Sequence, residues 1–227
     1  VVISFLLLHS PLLGPTSWRP CGEVLAAAGH QVAIPDLRWC LTPVERWWDR
    51  VVSQAAVALG MAGPPDRIVV AGHSGAGIVL PLVAQGVTAS AVVFVDAVIP
   101  AASGATRTDG GLREKVAALA DDDGLLPPWS SWWPPSTMAE LVPDDALRQA
   151  LEAEQLRLPE TFYDVEVPVP DGWEQADVSY VQLSPAYDVV AAEAVDRGWR
   201  VDAIPGLHLD IVRRPAEVAA ALCGVIE

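Results

Sequence analysis

Arg67-Ile68-Val69-Val70-Ala71-Gly72-His73-Ser74-Gly75-Ala76-Gly77-Ile78-Val79-Leu80 passes from an apolar, β-branched run through a turn of small residues into an apolar helix start. This is the form of a nucleophile elbow. A strained strand-to-helix turn lifts the serine hydroxyl out of a sheet, and small neighbours are needed because the two backbones nearly touch there. Gly72 and Ala76 meet that demand, Ala76 standing where the motif usually has glycine. Ser74 is therefore the candidate nucleophile.

Working outward, short apolar runs alternate with longer helical patterns. Ser4 to Leu8, Gln31 to Ile34, Arg67 to Ala71, Ala91 to Val95, Val178 to Leu183 and Trp199 to Ile204 read as strands buried on both faces. Thr16 to Ala28, Thr42 to Leu59, Ala76 to Gln85, Pro185 to Arg197 and Pro215 to Cys223 read as helices. Alternation of this kind predicts an α/β fold with a mostly parallel central sheet and helices on both faces. The rhythm breaks between Pro100 and Ala176, where proline, tryptophan and acidic residues collect around Leu126 to Pro135. The expected organisation is a core of residues 1–99 and 177–227 with a folded lid, residues 100–176, inserted between them. Inside the lid a helix is expected from Asp144 to Leu158, capped by Asp144 or Asp145, with Leu147, Leu151 and Leu158 on one face.

The bulk numbers exclude several classes. At 227 residues and 52% hydrophobic content the chain can bury one substantial core. With 14 Lys and Arg against 29 Asp and Glu, its net charge of −15 repels phosphate backbones and anionic lipid surfaces, so neither nucleic acid nor membrane is an expected partner. Cys21, Cys40 and Cys223 are odd in number and widely spaced, which argues against a disulfide framework or a zinc site and for a reducing, cytoplasmic setting. The opening run Val1 to Leu8 is too short for a signal segment and reads as a buried strand, and a short stretch is expected to precede Val1. No metal or cofactor is called for.

The order of landmarks adds a resemblance. The turn from His9 to Trp18 follows the first strand, Phe94-Val95-Asp96-Ala97-Val98-Ile99-Pro100 precedes the lid, and Gly206-Leu207-His208-Leu209 with Arg214-Pro215 lies near the C-terminus. With the elbow, this arrangement resembles the α/β-hydrolase family over nearly the whole length, particularly its small esterase and hydroxynitrile lyase-like branch. The resemblance implies a base in the loop after the last strand, where His208 is the histidine available. It commonly carries the acid after the penultimate strand, here Ser184-Pro185-Ala186-Tyr187-Asp188. Serine followed by proline is a helix start, leaving little loop, so Asp188 competes with Asp96, and Asp96 is modestly favoured. His9 and His73 shape strand ends, His73 also being a candidate substrate contact, and His30 reads as a surface turn residue.

The same resemblance exposes a gap. Acyl transfer needs N–H donors at the developing oxyanion, and Gly75 can supply one. The second is usually X of His-Gly-X, but this chain reads His9-Ser10-Pro11, and proline has no N–H. Three accounts stay open: Leu12 donates after a local shift, the Ser10 hydroxyl substitutes, or the chemistry is not acyl hydrolysis. The leading expectation is a cofactor-independent serine hydrolase acting on an ester, thioester or lactone of an apolar small molecule through a Ser-His-Asp triad. Trp129, Trp132 and Trp133 are candidate substrate contacts, packing of the lid being the equal alternative. A lyase, cyclase or elimination catalyst on the same scaffold is one alternative reading, and a catalytically silent binding protein is another.

Overall fold

A computed structural model describes residues 3–62 and 66–225. Val1 and Val2 of the opening run lie outside the described residues. Six strands form the central sheet: β1 (Ile3–Leu8), β2 (Gln31–Ala33), β3 (Arg67–His73), β4 (Ala91–Val95), β7 (Asp177–Gln182) and β8 (Arg200–Ala203). The order across it is β2-β1-β3-β4-β7-β8, and every pair is parallel. The α/β architecture with a parallel sheet expected from the alternation is the observed one.

Helices cover both faces, because strands such as β4, buried along their whole length, need apolar partners on either side. α2 (Trp47–Ala62), α3 (Leu80–Val87) and α7 (Asp188–Asp196) enclose one core cluster with Leu6, Val70 and Phe94. α1 (Arg19–Ala27), the short α8 (Asp210–Arg213) and α9 (Pro215–Gly224) enclose the other with Phe5, Val69 and Val93. Helix starts depart from expectation in a consistent way. A 3-10 turn over Pro15–Ser17 precedes α1, one over Ser74–Val79 precedes α3, and one over Pro185–Tyr187 precedes α7. Expected helices therefore begin as tight turns where proline, glycine or a strained residue stands. α2 also starts later than Thr42, at Trp47.

Residues 100–176 hold the two-residue antiparallel strands β5 (Ala105–Thr106) and β6 (Val167–Pro168), and the helices α4 (Gly110–Leu119), α5 (Pro135–Leu141) and α6 (Asp145–Ala153). The expected helix is α6, and Asp144 is its cap, accepting from the Leu147 N–H at 2.8 Å. It stops before Leu158. At its C-terminal end Glu154 takes the Thr16 N–H at 2.9 Å and hydroxyl at 2.7 Å, tying this segment to the turn after β1.

The sheet order places the site. The chain passes from β1 to β2 on one side and then crosses back over β1 to β3 on the other, and at such a switch point the carboxyl ends of the strands open a crevice. Register puts Leu8 beside Gly72, His73 beside Val95, and Val95 beside Val181, so the residues that follow emerge along one rim. The elbow crosses that rim closely. A Cβ on Gly77 would lie 1.9 Å from the Val98 carbonyl oxygen. Gly77→Ala is therefore expected to cost about 1 to 3 kcal/mol, read as a fall in Tm of roughly 2–4 °C per kcal/mol in a chain of this size. Gly60→Ala serves as the contrast, since a Cβ there meets nothing within 4 Å on α2. Unchanged Tm in Gly77→Ala would mean that the elbow does not approach the β4 loop this tightly.

Candidate active site

Ser74 stands at the apex of the elbow with φ 57°, a left-handed backbone that a residue bearing a Cβ rarely adopts. The fold holds it there from both sides, through β3 before it and through the Val98 N–H donating to the Ser74 carbonyl at 3.1 Å after it. Its hydroxyl is half-buried and meets the Tyr187 hydroxyl at 3.4 Å.

Asp96 follows β4 on the same rim, also left-handed at φ 43° and wholly buried. Its Oδ1 accepts the backbone N–H groups of Leu183 at 2.9 Å and Ser184 at 3.0 Å. Its Oδ2 accepts the Ser184 hydroxyl at 2.6 Å and His208 Nδ1–H at 2.7 Å. Burial alone would raise this carboxyl, but the His208 hydrogen bond and charge, with Ser184 and Leu183, outweigh it and hold Asp96 below the usual carboxylate range. An ionised acceptor fixes the proton of His208 on Nδ1, leaving Nε2 free to accept.

Between the two expected acids the structure distinguishes plainly. Asp96 lies on His208, whereas Asp188 is exposed in the first turn of α7 and accepts from Gln182 Nε2 at 2.5 Å. Ser184 stands at the expected cap position with Pro185 opening the turn, but its hydroxyl makes no cap bond. Its side chain is drawn to Asp96 instead of the helix start.

His208 sits in an aromatic cage. The Tyr187 ring stacks parallel to it at 5.1 Å with 8° between planes, His73 lies at 4.4 Å, and Trp129 at 6.4 Å. Among the described residues no hydrogen bond joins Ser74 directly to His208, and such contacts are commonly long before substrate binds. The loop carrying His208 is fixed by buried Asp210, which accepts the Leu207 N–H at 3.1 Å.

His73 corrects the expectation of a substrate contact. It is completely buried, and its Nε2–H donates to the His208 carbonyl at 2.9 Å, so it braces the base loop from below. Burial, then the nearby His208 charge, push it down to about 3. His9 is likewise held neutral, lowered mainly by burial, with Nε2 accepting from Leu37 N–H and Nδ1–H donating to the Ser10 carbonyl. Both histidines take up a proton near pH 6.5 when unfolded and only at lower pH when folded, so stability is full above that pH and falls as pH drops through it. Each contributes up to about 1.4 kcal/mol per pH unit. Urea midpoints are expected to be lower at pH 5.5 than at pH 7.5, well before surface carboxylates titrate. Equal midpoints would show that these rings are not neutral in the fold.

Pro11 and Ser10 face the elbow. A Cβ on Gly75 would lie 3.2 Å from Pro11 Cδ and 3.6 Å from Ser10 Oγ, so the proline ring occupies the space opposite the Gly75 backbone. The Leu12 N–H points at Ser10 Oγ, 3.3 Å away, and is already engaged within the turn. Of the three tryptophans, Trp129 approaches His208. Trp132 donates its indole N–H to the Pro127 carbonyl, and Lys115 of α4 lies 3.8 Å from the Trp133 ring centre, so these two are engaged within the 100–176 segment instead. His30 is half-buried, its ring edge against Phe5. Tyr187 was not foreseen as a site residue. The available signal was its place directly after the penultimate strand, next to Asp188, in the stretch already searched for the acid.

Solved structures align over essentially the whole chain. An extracellular α/β-hydrolase from a Paenibacillus species, described as sharing structural and functional homology with tobacco Salicylic Acid Binding Protein 2, matches with TM-score 0.75 at 18% identity over 98% of both chains. The chain has the α/β-hydrolase fold. Polyneuridine aldehyde esterase matches at TM-score 0.69 and 21% identity over 100% of each chain. Tomato Methylketone Synthase I, solved with 2-tridecanone, matches at TM-score 0.67 and 16% identity over 100% of this chain and 98% of that one. No family model and no curated protein matches the sequence. On this α/β-hydrolase scaffold, among the described residues, no group of three His, Cys, Asp or Glu side chains is arranged to hold a metal, and no helix is long and apolar enough to cross a membrane.

Proposed function

We propose that this protein is a cofactor-independent serine hydrolase acting on an ester, thioester or lactone of an apolar small molecule. The observation that carries the reading is the bond from His208 Nδ1–H to wholly buried Asp96, beside a serine held at positive φ. Ser74 attacks the carbonyl, His208 Nε2 takes its proton, Asp96 orients and stabilises the imidazolium, and Gly75 N–H donates to the oxyanion. Residues 100–176 act as a cap over the site, with Trp129 against the substrate. The apolar ring near His208 supports this, as does the apolar ketone in the structurally similar methylketone synthase.

One observation favours a second reading. With Pro11 opposite Gly75 and Leu12 N–H engaged, the expected second backbone donor is missing, at a typical loss of about 2.7 to 4 kcal/mol in transition-state stabilisation. A lyase or elimination catalyst would need only proton transfer by Ser74 and His208. The test is intact-protein mass after exposure to a fluorophosphonate, with esters of graded chain length assayed alongside. One adduct together with ester turnover supports the hydrolase. Folded protein with neither would move the assignment to the non-hydrolytic reading.

A further inference from the structure

The missing N–H leaves a question that the geometry of Tyr187 answers. Its hydroxyl is the hydrogen-bond partner of Ser74 Oγ at 3.4 Å, and its ring is set by parallel stacking on His208 at 5.1 Å. The loop that carries it is not free to wander. Leu183 N–H, Ser184 N–H and Ser184 Oγ all bind Asp96, so the carboxylate that orients His208 also anchors the start of the Pro185–Tyr187 turn. His208 and the turn that carries Tyr187 are thus held by the same buried group.

We propose that Tyr187 is a catalytic residue whose hydroxyl donates to the oxygen that becomes negative at the Ser74 centre, supplying the contact that Pro11 cannot. This rests on the hydrolase reading and deepens it. Ser74 Oγ bonds to the carbonyl carbon as its proton passes to His208 Nε2, and the carbonyl π pair moves onto oxygen. Gly75 N–H and Tyr187 O–H then share that charge. Collapse breaks the bond to the leaving group, which takes the proton from His208. Water, deprotonated by His208, attacks the acyl carbon, and collapse of this second intermediate breaks the bond to Ser74 Oγ, which takes the proton back from His208 as the acid leaves. Tyr187 keeps its own proton throughout. Burial, offset in part by the Ser74 hydrogen bond, pushes the phenol up to about 12, which suits a donor and not a base.

Pro11 supplies the complementary test. Proline Cδ stands where another residue carries its amide hydrogen, and here that atom faces Gly75. Pro11→Ala therefore introduces an N–H directed into the same space. The experiment measures kcat and KM on the best ester of the graded series, with fluorophosphonate labelling, for the unaltered protein, Tyr187→Phe, Pro11→Ala and the double variant. Phenylalanine keeps the ring on His208 and removes only the hydroxyl. Tyr187→Phe is expected to lower kcat by about 100-fold with KM little changed, the scale of losing one oxyanion donor. Pro11→Ala is expected to restore at least 10-fold in the Tyr187→Phe background, and less than that alone. Equal or faster turnover in Tyr187→Phe, at unchanged Tm, overturns the proposal while the hydrolase reading stands. Absence of both adduct and turnover in the unaltered protein overturns the hydrolase reading, and this inference with it.

Discussion

Replacing Ser74 by alanine is expected to abolish fluorophosphonate labelling and to lower kcat on a turned-over ester by a factor on the order of 10⁶, the scale seen when a triad nucleophile is removed. The size of the effect follows from what surrounds the elbow. No neighbouring group can take over the attack. Ser10 is buried and its hydroxyl is engaged by Leu12 N–H, and the Tyr187 phenol is held up to about 12. Cys21 and Cys40 are buried, both thiols raised by desolvation. Alanine accepts the left-handed backbone no worse than serine, so Tm is expected to change little. What remains is binding and the oxyanion donors, Gly75 N–H and the proposed Tyr187 O–H, which together sustain only a small residual rate over water. An adduct that persists in the folded variant, or turnover within 10-fold of the original, would remove Ser74 from the centre of the reaction.

The sheet was legible because its strands are short β-branched runs buried on two faces, a pattern that needs no knowledge of partners. Ala91 to Val95 is recovered to the residue as β4. The elbow was legible for a related reason, since its small residues answer a purely local steric demand. Interactions across the fold were not. Ser184-Pro185 carries every local sign of a helix cap, yet Ser184 turns to a carboxylate 88 positions away. That choice exists only after register sets Val95 beside Val181. The same pairing sets Asp96, and not Asp188, against His208, and it carries Tyr187 to Ser74. Trp132 and Trp133 read as site aromatics, with Trp129, because they sit among prolines that can hold large rings in place. Their proximity to Lys115 depends on α4, which the chain pattern did not announce.

Asp96→Asn is the second large effect, and its cause lies in a hydrogen-bond count. Asp96 Oδ1 receives two backbone N–H groups that have no other form, so in the variant the amide oxygen must take that place. The NH₂ then replaces Oδ2 and faces His208 Nδ1 and the Ser184 hydroxyl. Two donors cannot meet, and His208 is driven to the tautomer with its proton on Nε2. That nitrogen can no longer accept from Ser74. A loss of about 10⁴-fold in kcat is expected with substrate binding largely kept, as follows when the tautomer of a triad histidine is reversed. Asp188→Asn, altering an exposed side chain bonded to Gln182, is expected to leave kcat within 2- to 3-fold. Nitrogen NMR of His208 reads the cause directly, the proton resting on Nδ1 in the original protein and on Nε2 in Asp96→Asn. If Asp188→Asn carries the larger loss, or if the tautomer is unmoved while activity falls, the buried carboxylate on the rim of β4 is not the group that orients the base.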